Sequence, residues 1–392
     1  MFAVDGVLSP LRNLWQSTGL SGQQLASSAL GVDIGQFETK IAWLHRTGAD
    51  GYRIALAKLP TFPKQLNQAD DPDSKSADDR RSHSSNPFKV RNAFDAGSSI
   101  LWDNKELESL SHRVLRALGT RELKRSDMLI NLSMAVCDVR SLCIPRDTAR
   151  SDIAIQGLLN ESIGEPQPRN IALLPAENDE KAKVRVFSIS EALTSGVSKL
   201  FERNSLHPCQ IDGLPWSQGR LAQMAVQDPN HLVLVLDWGY SRPTLTVVKD
   251  GEIKYVRRLS VGGLNQIMSQ PLVDLHMTHA EAARWVKHCL SPKCSDGPLV
   301  QDTQVWAKDC CKKLAKEIAA ARDYVQWRYK GEEISSLVLI GGGASCERLV
   351  NELNGAVNLP MMSWRSKVGD ETVTPEYATA TSLAMLGVSR AR

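Results

Sequence analysis

The sequence predicts an α/β protein whose mixed β-sheets are covered by helices and whose two halves are duplicates of one plan. Three observations carry this. Strand-like and helix-like segments alternate along most of the chain. A meander of three strands opening on an Asp-x-Gly turn, "LGVDIGQFETKIAWL", returns about 200 residues later as "VLDWGYSRPTLTVVKDGEIKYVRRLSVGG". Late in the chain an apolar strand, "SSLVLIGGGAS", runs through three glycines into a helix.

Taken in order, "MFAVDGVLSPLRNLWQSTGL" has neither a basic start nor a long apolar core, and no run of apolar residues approaches the length of a membrane span. The chain is therefore expected in the cytoplasm. Its "LSPLRNLW" reads either as a short amphipathic helix on a membrane or as a turn packed on the parent domain. Next come the strand ending at Asp33, the strand "KIAWLHR", the turn "TGADG" and the strand "YRIALAKL". Composition then shifts: residues about 63 to 98, with "QADDPDSKSADDRRSHSSNP", hold hardly any apolar side chain and cannot offset the entropy of ordering. A mobile surface insertion is predicted, and limited proteolysis is expected to cut there first; protection of this segment would overturn the reading.

"WDNKELESLSHRVLRALG" reads as a helix, with Asp103 and Glu106 as a capping box, Leu107, Leu110, Val114 and Leu118 on one face, and Gly119 as the stop. "DMLINLSM" and "CDVRSLCIP" follow as strands, "RSDIAIQGLLNESIG" as a helix, "NIALLP" and "VRVFSIS" as strands, and "SEALTSGVSKLFERN" as a helix capped near Ser190. After the second meander, "THAEAARWVKHC" and "DTQVWAKDCCKKLAKEIAAARDYVQWRY" read as helices. "CERLVNEL" and "PEYATATSLAMLG" are two more, the last opening with Thr374 ahead of Pro375.

Composition excludes several functions. The chain has 392 residues, enough for about two domains, with 42% hydrophobic and 23% charged residues, as in ordinary globular proteins. A net charge of +3 without a basic, aromatic-laced stripe argues against nucleic acid. Eight cysteines lack any C-x-x-C pair and read as buried thiols; the "HCLSPKC" cluster matches no standard metal-ligand spacing.

The turns carry the chemistry. A polyphosphate needs close backbone N–H groups, a cation, and an acid to hold magnesium or its waters. Glycine at a strand turn supplies the first, because no side chain blocks the approach. Lys40 supplies the second. Asp33 and Asp237, at the ends of homologous strands, suit Mg²⁺ held largely through water. Gly341, Gly342 and Gly343, between a strand and a helix, suit the ribose and adenine or a phosphate at the helix N-terminus.

Together these motifs resemble the actin, Hsp70 and sugar-kinase ATPase superfamily, and within it the PilM family of type IV pilus assembly proteins. The quoted meanders, "LVLIGGGASCERLVNEL" and the Ala-rich closing helix "EYATATSLAMLG" carry the resemblance, over about residues 29 to 388. It implies an actin-like ATPase fold with two duplicated lobes and an inserted small α/β subdomain. The implied layout is an N-terminal arm 1–28, lobe 1 at 29–229 with the insertion at about 63–98 and the extra subdomain at about 120–212, and lobe 2 at 230–388. ATP and Mg are the implied cofactors. Asp33, Gly35 and Lys40 match the first phosphate loop, and Asp237, Gly239, Thr244 and Thr246 the second. Gly262 and Gly263 match a glycine pair after the third strand, Gly341 to Gly343 match the adenosine turn, and Glu317 lies on the helix bordering adenine. The resemblance further implies a cytoplasmic scaffold at the inner membrane, holding the N-terminal tail of a PilN-like membrane protein. Other platform proteins are implied partners, and self-association is left open. Alternatives on the same fold are an FtsA-like cell-division protein, a type II secretion platform protein, or a small-molecule kinase, for which the sequence offers no convincing base and Glu161 reads either as a carboxylate orienting a water or as a solvated helix-end charge.

Several residues depart from that pattern. Gln36, Phe37 and Glu38 in the first loop, and Trp238, Tyr240, Arg242 and Pro243 in the second, stand where the family favours small residues. After Glu317 come Ala319, Ala320 and Ala321, with Arg322 one place late. These side chains are expected to crowd the phosphate space and leave feeble or absent ATP hydrolysis.

Overall fold

The computed structural model describes residues 27–47, 51–61, 104–118, 123, 126–143, 152–164, 168–174, 183–226, 230–292, 294, 297–330 and 332–389. The predicted N-terminal amphipathic segment, the 63–98 insertion, and the caps Asp103 and Gly119 lie outside them.

The first half forms β1 (Ser28–Ile34), β2 (Glu38–Arg46), β3 (Tyr52–Pro60), helix α1 (Asn104–Leu118), β4 (Asp127–Leu132) and β5 (Cys137–Cys143). It continues with α2 (Asp152–Ile163), β6 (Arg169–Leu174), β7 (Lys183–Ser190), α3 (Glu191–Glu202), β8 (Pro208–Asp212) and α4 (Leu214–Ala225). The second half forms β9 (Leu232–Asp237), β10 (Thr244–Lys249), β11 (Glu252–Arg258), α5 (Leu264–Asp274), α6 (His279–Cys289) and α7 (Pro298–Arg328). After these come β12 (Ile334–Ile340), α8 (Glu347–Asn354), β13 (Met361–Ser363), β14 (Ser366–Val368), β15 (Glu371–Val373) and α9 (Ala378–Ser389).

The duplication is one of topology. One sheet has the order β3-β2-β1-β4-β8 and the other β11-β10-β9-β12-β13. In each, an antiparallel meander is extended by a parallel strand on the far side of its first strand, and then by another. The central strands are apolar on both faces, as burial from both sides requires: Leu232, Leu234, Val235 and Leu236 of β9 are all inaccessible to solvent. The inserted subdomain is a third sheet, β5-β7-β6, partly covered by α2, which packs Ile155 and Leu159 onto Leu142 and Val186.

Besides the small cluster under α2, three larger apolar clusters of the described residues hold the molecule together. One joins the first sheet to α1, α3 and the small sheet, and a second joins the other main sheet to α5, α6, α7 and α8. The third lies between the lobes, where α4 and α9 meet residues of both main sheets: Ala29 and Ala42 on one side, Val233, Val235, Val338 and Ile340 on the other. The last helix, which the sequence groups with the second lobe, therefore packs against β1, β2 and β4 of the first. Small residues make this approach possible. A Cβ on Gly31 would lie 1.9 Å from the Ala380 carbonyl oxygen, and one on Gly387 2.5 Å from Ala29 Cβ.

Some local expectations are corrected. Ser190 occupies the N-cap position of α3, but its side chain makes no capping hydrogen bond. Pro375 opens a 3₁₀ turn, Pro375–Tyr377, and α9 starts only after it. The eight thiols are not uniformly buried: Cys137, Cys289, Cys310 and Cys311 are, whereas Cys143 and Cys209 are exposed. All eight are free. Among the described residues no group of three or more His, Cys, Asp or Glu side chains could hold a metal ion, and no helix is long and apolar enough to cross a membrane.

Candidate functional site

Strand register places the two acids. In the first sheet Asp33 stands opposite Lys40 on β2 and opposite Asn131 on β4; in the second, Asp237 stands opposite Thr244 on β10 and Ile340 on β12, just before Gly341. The equivalent ends of the two sheets face each other across one cleft, with about 690 Å³ of empty space, part of it open to solvent. Asp33, Gly35, Lys40, Asp237, Gly239, Thr244, Gly341 and Gly342 all line it.

Asp33 and Asp237 are half-buried where they line the cleft. Burial raises Asp33 above its usual 3.8, opposed by the nearby Lys40 ammonium and by a 2.7 Å hydrogen bond that Asn131 Nδ2 donates to Asp33 Oδ1. Burial and, after it, the like charge of Asp33 push Asp237 up to about 7 against the opposing charge of Lys40. Two part-buried acids beside one ammonium favour a proton kept on Asp237 or a bound cation.

Asn131 escaped the sequence reading. It is 1% exposed, and its Oδ1, buried at the cleft, accepts no hydrogen bond from the described residues. Such an acceptor suits a magnesium-bound water or another donor held in the cleft. Ser133, Arg258, Glu376 and Thr379 also line the space and were not singled out. The clue available was the polar end of "DMLINLS", a strand that must pair beside β1 if the halves are duplicates.

The other candidates lie apart. Thr246 is fully buried, with its hydroxyl donating to Gln218 Oε1. Gly262, at φ +92°, presses on Leu314, and its carbonyl accepts from the Trp238 indole at 2.7 Å; Gly263 abuts the Ser241 carbonyl and caps α5. Gly343 packs on the Trp238 ring. Glu317 accepts hydrogen bonds from Arg257 (2.7 Å) and Ser260 (3.2 Å), and Arg322 turns to its neighbour Asp323. Glu161 is exposed on α2 and does not line the cleft.

The expected crowding by Trp238 is overturned. Its side chain is wholly inaccessible and belongs to the second lobe's core. Of the bulky loop residues, Gln36, Phe37, Tyr240 and Arg242 do line the cleft. The parts of the site thus differ in their fit to Mg-ATP. The residues matched to phosphate and cation bring together acids, a lysine and closely packed glycines: a Cβ on Gly341, at φ +86°, would sit 2.4 Å from Asp237 Oδ1. Of the residues matched to adenosine, Gly341 and Gly342 line the cleft, whereas Gly343 packs on Trp238 and Glu317 is paired with Arg257 and Ser260.

Duplicated five-stranded mixed sheets closing on a cleft with an acid at each wall define the actin-like ATPase fold, and this chain has that fold. No family model matches it, and no curated protein matches it. Solved structures do. A chain of a PilM–PilN type IV pilus biogenesis complex is similar over 92% of this chain and 98% of its own, with a TM-score of 0.62 and 18% identity. An archaeal actin homolog aligns over 91% and 98%, with a TM-score of 0.41 and 15% identity. The Clostridium difficile activator of 2-hydroxyisocaproyl-CoA dehydratase, with bound ADPNP, aligns over 92% and 94%, with a TM-score of 0.44 and 9% identity. At these identities the likeness is one of fold.

Proposed function

We propose that this chain is a scaffold of a type IV pilus assembly platform, holding the short cytoplasmic tail of a PilN-like membrane protein and bearing a weak nucleotide site. The observation that carries this is the near end-to-end likeness to a chain of the PilM–PilN complex. The third sheet, β5-β7-β6, adds support: it stands where the sequence resemblance calls for the family's extra subdomain. On this reading the chain is cytoplasmic and reaches the inner membrane through its partner, and the lobes run over 29–229 and 230–388.

In this proposal Asp33 and Asp237, with Asn131, hold Mg²⁺ through its waters, while Lys40 and the turns at Gly35, Gly239 and Gly341 take the phosphates. When bound, the metal would neutralise phosphate charge. Adenosine gains little, because Glu317 is already paired and Ala319 to Ala321 offer no polar side chain. A ligand that forgoes two such charge-assisted hydrogen bonds, at about 1.5 to 3 kcal/mol each, binds weaker by roughly a hundredfold or more. Partner binding is then independent of nucleotide. A pull-down with a peptide of the PilN-like tail should retain the full chain equally with and without Mg-ATP. Loss of retention at low and moderate salt would defeat the scaffold reading.

A further inference from the structure

We propose that Phe37 and Tyr240 form an aromatic clasp that holds the two lobes together across the phosphate end of the cleft without any ligand, and that it selects against nucleoside triphosphates. Phe37 comes from the turn between β1 and β2 of the first sheet, and Tyr240 from the equivalent turn between β9 and β10 of the second. Their rings stack with centroids 4.9 Å apart and planes 20° from parallel. Phe37 packs against the apolar cluster of the second lobe, so this contact crosses the cleft that both rings line.

Each ring is anchored to its own lobe. The Phe37 carbonyl accepts from the Thr61 amide at 3.0 Å, and Thr61 Oγ1 donates to the Gly35 carbonyl at 2.8 Å, fixing the first turn to the end of β3. The Tyr240 carbonyl accepts from the Asn265 amide at 2.8 Å, fixing the second turn to α5. Nearby, Lys58 pairs with Glu376 at 3.2 Å and lies 3.9 Å from Glu38, tying β3 to the turn that leads into α9. The stack therefore joins two fixed points rather than two free loops.

A triphosphate is poorly matched to this arrangement. The face of an aromatic ring carries negative charge, so a phosphate at the stack faces repulsion in place of a donor. To enter, the ligand must first separate the rings. Its apparent affinity is then its intrinsic affinity reduced by the fraction of molecules with the clasp open, so a clasp closed in all but a tenth of molecules weakens binding about tenfold. In this chain a side-chain pair does what a bound ligand would do by bridging both turns.

The inference rests on the proposed weak nucleotide site, yet it fails separately from the scaffold reading, which the pull-down tests. The experiment is calorimetry of the full chain with Mg-ATP, comparing Phe37→Ser, Tyr240→Ser, the double variant and Tyr240→Phe, with hydrogen exchange of both turns measured in the absence of ligand. Each serine variant should bind Mg-ATP about tenfold tighter or more, while Tyr240→Phe, which keeps the stack, should match the native chain. The double variant should gain no more than either single one, because one opening suffices. Exchange at the Phe37 and Tyr240 turns should rise in the serine variants alone. If either serine variant fails to fold, Phe37→Leu and Tyr240→Leu keep apolar volume without the stack and should show the same gain. Equal or weaker binding in folded variants, or unchanged exchange, overturns the clasp.

Discussion

Alanine at position 31 is expected to lower the melting temperature by roughly 4 °C, corresponding to about 3 kcal/mol in a chain of this size. The added methyl would lie 1.9 Å from the carbonyl oxygen of Ala380, 2.7 Å from the amide nitrogen of Ala384 and 2.9 Å from Leu383 Cβ, all on α9. Two of the three are backbone atoms, so no rotamer change relieves the clash; the helix itself must retreat from β1. That retreat would also disturb Gly387, seated on Ala29 and Leu129. Because α9 lies between the two main sheets, the cost is shared by both lobes. Gly157 in α2 gives the contrast. It is exposed, a Cβ there meets nothing within 4 Å, and alanine at that site should stabilise by about 0.5 to 1 kcal/mol through helix propensity. Thermal melts of the two variants should therefore move in opposite directions. A Gly31→Ala melt within a degree or so of the native one would show that α9 is not wedged as described.

The duplicated plan was legible because each half announces itself with an apolar strand, an Asp-x-Gly turn and a returning strand, signals that survive in sequence without tertiary context. The position of the acids followed directly, since a residue at the end of a central strand emerges at the sheet's edge in either half. The direction of Trp238 was also readable, though the loop composition suggested otherwise. Side chains alternate along a strand, so the geometry that turns Asp237 into the cleft sends the next residue toward the core, where its indole reaches the Gly262 carbonyl. Asn131 was hidden for a different reason. Its place beside Asp33 depends on the parallel register of β4 with β1, between strands about 100 residues apart, and no local pattern fixes a parallel register. The pairing of Glu317 with Arg257 was likewise invisible, because it arises only when α7 packs across β11. Thr246 shares a strand face with Thr244, but the sheet passes beneath α4 at that point, and Gln218 takes its hydroxyl.

The second large effect is one of pH and belongs to Asp237. Its carboxyl is pushed from the usual 3.8 to about 7 in the folded protein, first by burial and then by the charge of Asp33. The folded state therefore holds this proton where the unfolded chain has released it. Stability from this group is fully present below about pH 4, declines as the unfolded chain ionises, and is lost once pH passes about 7. At about 1.4 kcal/mol for each pH unit between those values, the loss has an upper bound of about 4 kcal/mol, and water reaching the cleft floor reduces it to roughly 1 to 3 kcal/mol. Asp237→Asn replaces the carboxyl with a neutral group of the same shape and removes this dependence. The variant should melt with the native chain at pH 4 and above it at pH 8, by roughly 1 to 4 °C, with the gap opening between the two. Groups distant from Asp237 shift both proteins alike and cancel in the difference, whereas Asp33 and Lys40, which interact with its charge, contribute to the gap. A gap that stays constant from pH 4 to pH 8 would mean that Asp237 is ionised in the folded protein throughout, and that Lys40 outweighs both burial and Asp33.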